Sequence, residues 1–123
     1  MGEGLKRDSG EEVVLKQTMS ELIYEVDSVT ITLIKKNPPE YRIDATGKTR
    51  TAGWSNPDLS GVVYVQAPPD GIYDYNFVAE PPSGVSAQVL TPISVQKAIG
   101  GMPKGFRGVR VHASSNKKEA LLE

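Results

Sequence analysis

Three Pro-Pro pairs, Pro38-Pro39, Pro68-Pro69 and Pro81-Pro82, divide this 123-residue chain, and the last two bracket a nine-residue run rich in aromatics, residues 72–80. Proline lacks a backbone N–H and holds φ near about −65°, so a double proline is excluded from helix interiors and central strands and falls at edges or in connections. The pairs therefore act as punctuation between strands. None reads Pro-x-x-Pro, and each is flanked by turn residues, so we read them as structural and not as ligands for proline-recognising domains.

Between these marks the apolar period is two. Val29, Ile31 and Leu33 alternate in a β-branched run, and Tyr41, Ile43 and Ala45 share a face in the next segment. Residues 62–67 lead through Pro68-Pro69-Asp70-Gly71 into residues 72–79, a pattern that predicts a β-hairpin with proline presetting φ and glycine accepting φ > 0 at the exit. In the second strand of that hairpin Tyr73, Tyr75, Phe77 and Ala79 fall on one face, which is expected to meet the core. Pro81-Pro82-Ser83-Gly84 makes a similar connection to a strand from Val85 to about Leu90, extending past Pro92. The last strand, residues 106–114, turns Val109, Val111 and Ala113 one way and Arg110 and His112 the other.

Six or seven short strands with turn signals between them predict an all-β fold, a small antiparallel β-sandwich of immunoglobulin-like architecture, though without the Cys…Trp…Cys spacing of true immunoglobulin domains. One domain is expected at this length. Residues 1–10 are polar and read as a flexible N-terminal segment, residues 11–114 as the sandwich, and residues 115–123 as a C-terminal tail or short helical turn. A short N-terminal helix fits Ser9-x-x-Glu12 followed by Leu15, Met19, Leu22 and Ile23, while Val13-Val14-Leu15 and residues 23–26 fit strands equally well.

Composition excludes several function classes. With 38% hydrophobic and 24% charged residues, the chain reads as a soluble globular domain with no stretch apolar enough to span a membrane, and residues 1–10 lack the apolar run of a secretory signal. No membrane partner is expected. No cysteine and one histidine leave no thiolate zinc site, no cysteine nucleophile and no His-x-x-x-His, so neither metal nor cofactor is expected. The loop Gly100-Gly-Met-Pro-Lys-Gly105 is not a phosphate loop, since Phe106 and Arg107 stand where Lys and Ser/Thr would be needed. Residues 81–118 carry six bases and no acid, but Phe106 is the only aromatic among those bases, which argues against nucleic acid.

The remaining chemistry points to recognition. Trp54 lies between turn formers, and with Tyr41, Tyr64, Tyr73 and Tyr75 it could build an aromatic platform; functional residues concentrate on loops held by a rigid scaffold. We expect a non-catalytic binding module that takes a protein or glycan partner through Trp54, Asp70 and Tyr73. The alternatives are a small hydrolase using His112 with a serine (Ser86, Ser94 or Ser114) and Asp74, and a structural subdomain of a larger assembly.

Overall fold

The computed structural model describes residues 20–122, which are all-β with no helix. Eight strands follow in order: β1 (Glu21–Leu22), β2 (Glu25–Lys36), β3 (Pro39–Thr49), β4 (Ser55–Gly61), β5 (Ile72–Glu80), β6 (Thr91–Gly100), β7 (Gly108–His112) and β8 (Lys117–Leu121). They form two separate sheets and do not close into a barrel. One sheet is the antiparallel trio β2-β3-β6; the other centres on β5.

The bracketed strand is the axis of the molecule. Along one side of β5 runs β4, with Leu59 opposite Phe77 and Gly61 opposite Tyr75. On the other side β1 pairs with Val78 and Ala79, and β7 pairs in parallel from Ile72↔Gly108 to Asn76↔His112. That parallel pair departs from the all-antiparallel expectation. It is reached through the long path over β6, because a parallel partner cannot be supplied by a tight hairpin.

The aromatic face of β5 meets the core as its alternation predicts: Phe77 and Ala79 are fully buried and Tyr75 nearly so, while Tyr73 is half-buried. Around them lie Ile23, Val26, Ile43, Ala45, Leu59, Val109 and Val111, drawn from both sheets, so the two sheets share one core. Asn116, in the β7–β8 turn, ties the sheets together: its side chain accepts from the Val26 amide and donates to the Val26 carbonyl, each at 2.8 Å.

Four local expectations are corrected. The segment 62–67, for all its β-branched residues, is not a strand; β5 takes β4 instead, and the connection becomes the ten-residue loop 62–71. Leu59 is buried against the core, whereas Val63 and Val65 are fully exposed, so burial outweighs local propensity. Residues 85–90 are likewise irregular, and the strand begins at Thr91, where Pro92 sits on the outer edge of β6. The expected tail holds β8, with Ala120 buried opposite Val109. Of the expected N-terminal helix, Leu22 belongs to β1 and Ile23 donates to the Phe77 carbonyl; residues 9–19 lie outside the described residues.

Candidate functional site

The strands run between two ends, each collecting connections. The β2–β3 turn, loop 62–71 and loop 101–107 gather at the Ile72 end of β5. The β3–β4 connection, loop 81–90 and the β7–β8 turn gather at the Glu80 end. Ser55 opposes Glu80, so Trp54 and Tyr73 are about seven residues apart along β5, on the order of 23 Å. The three residues expected to form one surface are thus split: Asp70 and Tyr73 at the first end, Trp54 at the second.

At the Ile72 end four rings form a continuous chain. Tyr64 meets Tyr73 edge-on at 5.4 Å, Tyr73 lies 5.8 Å from Phe106, and Phe106 lies 5.1 Å from Tyr41. These separations suit attractive aromatic pairs. Tyr41 also borders two clefts. One, of about 390 Å³, is an open cleft lined by Pro39, Met102, Pro103 and Phe106. The other, of about 470 Å³, lies between Ile31, Leu33, Leu121 and Leu122. Tyr75, included in the expected platform, is buried instead.

The loop above these rings is anchored by a polar network on the outer face of β5 and β7. Tyr64 donates its hydroxyl to Asp74 Oδ2 at 2.5 Å and accepts the Asp74 amide at 2.8 Å. Asp74 Oδ1 also takes His112 Nε2 at 2.8 Å and Arg110 Nη1 at 3.1 Å. Arg110 bonds Glu119 through Nε at 2.8 Å and reaches Asp70 at 3.5 Å. Asp70 in turn accepts the Ile72 amide at 3.0 Å, an Asx turn that closes the loop.

Charge states follow from these contacts. Burial works to raise the Asp74 carboxyl, but the bonds from His112, Tyr64 and Arg110 outweigh it and hold it below the ordinary carboxylate range. Asp70 is lowered too, first by the Ile72 amide. The Tyr64 hydroxyl is pushed up by burial and by the neighbouring Asp74 charge. Glu119 and Asp74 together hold Arg110 firmly protonated.

His112 and Asp74 are therefore joined, as a hydrolytic triad would need. The serines are not: Ser86 lies in loop 81–90 beside Gly53, with no bond to His112 among the described residues. Ser114 Oγ donates to the Tyr24 carbonyl, and Ser94 opposes Thr46 on the other sheet. Ser60 is separated from His112 by the intervening β5 residue Asn76, about 9 to 10 Å across two strand spacings. Among the described residues no hydroxyl of a serine bonds to His112, and no group of three or more metal-ligating side chains occurs.

Around the aromatic chain the surface is apolar and basic. Val62, Val63, Val65, Leu33, Ile34 and Leu121 are exposed at this end. Lys35, Lys36, Lys104 and Arg107 are exposed beside them, and among the described residues none of these four pairs with a carboxylate. Sequence reasoning missed Phe106 as the ring that links Tyr73 to Tyr41. Its position after Met-Pro-Lys-Gly carried no local signal, because the link depends on β6 returning beside β3.

At the Glu80 end Trp54 is half-buried and donates Nε1–H to Thr51 Oγ1 at 3.0 Å. It borders a pocket of about 230 Å³ shared with Glu21, Leu22, Tyr24, Arg50 and Ser114. Neither protein-family models, nor curated proteins, nor solved structures gave a match to this chain.

Proposed function

We propose that this chain is a non-catalytic recognition module, a β-sandwich of immunoglobulin-like architecture, that holds a partner protein with the loops at the Ile72 end. The observation that carries this reading is the aromatic chain Tyr64–Tyr73–Phe106–Tyr41 at the same end of the fold as the fully exposed Val63 and Val65, which flank Tyr64 in the loop. Exposed apolar groups gathered on an anchored loop mark interaction surfaces. Aromatic rings supply large contact area at low entropic cost. Asp70 serves this surface by positioning: it closes the loop through Ile72 and Arg110. Lys35, Lys36, Lys104 and Arg107, which pair with no carboxylate among the described residues, favour a partner whose apolar cleft is bordered by carboxylates.

A photo-cross-linking side chain placed at Val63, and in parallel at Thr30 on the outer face of β2, tests the reading in an extract of the source cells. The expected outcome is a defined protein adduct from position 63 alone, whose purified complex weakens with added salt and with Val65→Asp. Equal labelling from both positions, or a complex indifferent to Val65→Asp, would overturn it.

The hydrolase reading is favoured by one contact, His112 to Asp74 at 2.8 Å. It needs a nucleophile, and the same carboxylate is already engaged by Tyr64 and Arg110 in holding the loop. The anchoring role accounts for all three bonds at once.

A further inference from the structure

We infer that the pocket beside Trp54 is a second binding site, which takes one neutral pyranose ring of a saccharide. Its walls are held in place before any guest arrives. The indole is oriented by the Nε1–H bond to Thr51 Oγ1 at 3.0 Å. The Tyr24 backbone is clamped at both polar atoms: its amide donates to the Lys48 carbonyl, and its carbonyl accepts the Ser115 amide at 2.9 Å and the Ser115 hydroxyl at 2.6 Å. Arg50 is stacked over the Tyr24 ring, its guanidinium carbon 4.4 Å from the centroid. Pre-ordered groups lose little freedom on binding, which favours affinity.

The polar groups define the guest's charge. Glu21 and Arg50 border the same pocket, yet no ion pair joins them, and among the described residues neither has another charged partner. A carboxylate guest is favoured by Arg50 and opposed by Glu21; a cationic guest meets the reverse. A neutral guest that both donates and accepts satisfies the two together, with the Ser114 oxygen, whose proton goes to the Tyr24 carbonyl, as a further acceptor. A pyranose has that chemistry: hydroxyls around the rim, and a face of C–H groups that suits the electron-rich face of an aromatic ring. Size agrees, since about 230 Å³ falls below the roughly 300–1,000 Å³ of sites for drug-sized ligands, leaving room for a single ring.

Trp54 is the only tryptophan of the chain, so its emission reports on this pocket directly. The full chain is titrated with methyl glycosides of glucose, galactose, mannose, xylose and N-acetylglucosamine, and with glucuronate and glucosamine as charged controls. The expected result is a saturable emission change with at least one neutral glycoside in the millimolar range. Glucuronate and glucosamine should bind about tenfold more weakly, and Glu21→Gln and Arg50→Ala should each reduce neutral-sugar affinity severalfold. Both substitutions lie on exposed side chains and leave the core intact. The inference fails if no neutral glycoside changes the emission, if a charged control binds as well as the neutral sugars, or if both variants bind like the parent chain.

Discussion

Gly71 carries a conformational demand that no other residue at its position could meet. Its φ is +74°, and a Cβ there would run into the Gly105 carbonyl oxygen and approach Arg107 Cγ at 3.0 Å. Its own backbone joins two loops, donating to the Pro68 carbonyl at 3.0 Å and accepting the Arg107 amide at 2.8 Å. Gly71→Ala is therefore expected to lower stability by about 1–3 kcal/mol, the usual range for backbone strain of this kind. A urea-denaturation midpoint equal to that of the parent would show that the two loops separate without cost. This glycine was legible in the sequence as a turn residue, since Pro-Pro-Asp-Gly has the composition of a turn that ends in φ > 0. Its contact with Gly105 was not, because the two residues meet only through the parallel pairing of β5 with β7.

At the scale of elements, β5, β7 and loop 62–71 are joined through one carboxylate, and that makes the junction sensitive to acid. Asp74 sits below the ordinary carboxylate range in the folded chain, so the unfolded chain takes up its proton first as pH falls. The stability this group contributes is present in full only above about pH 5, declines as pH falls through the unfolded value, and is gone below its lowered folded value. Asp70 and Asp27 are lowered as well, the latter by its bond to Lys48, so they preserve part of the acid dependence when Asp74 is removed. Asp74→Asn should flatten the acid limb of a stability-versus-pH curve without abolishing it, and increase amide exchange at residues 62–67 and at Asp70. A limb parallel to that of the parent would mean that His112, Tyr64 and Arg110 stabilise the loop without drawing on the Asp74 charge. Elements differed in how far they could be read beforehand. The core face of β5 followed from its alternation and its proline brackets, and that of β7 from alternation alone, with Val109 and Val111 buried while Arg110 and His112 face outward. The strand beside β5 was misplaced, because residues 62–67 have stronger β character than Ser55–Gly61 with its Pro57 and Gly61. What selects β4 is Leu59 opposite Phe77, a contact eighteen residues away that no local window contains.

For the whole molecule, the division into two ends has an energetic consequence. An aromatic platform on loops would join Trp54 with Asp70 and Tyr73, yet β4 and β5 run antiparallel and carry them to opposite ends. The intervening core is made of close-packed buried side chains, Leu59, Phe77 and Val111 among them, and among the described residues no polar network crosses it. Sites farther apart than about 7–10 Å without shared partners add in stability to within roughly 0.3–0.5 kcal/mol. Trp54→Phe removes the bond to Thr51, and Tyr64→Phe removes the bond to Asp74; each alters one end alone. Their unfolding free energies, measured singly and together, should therefore sum within that margin. A coupling larger than about 1 kcal/mol would show that β5 transmits strain along its length, and that a partner at the Ile72 end and a sugar at the Glu80 end would influence each other's binding.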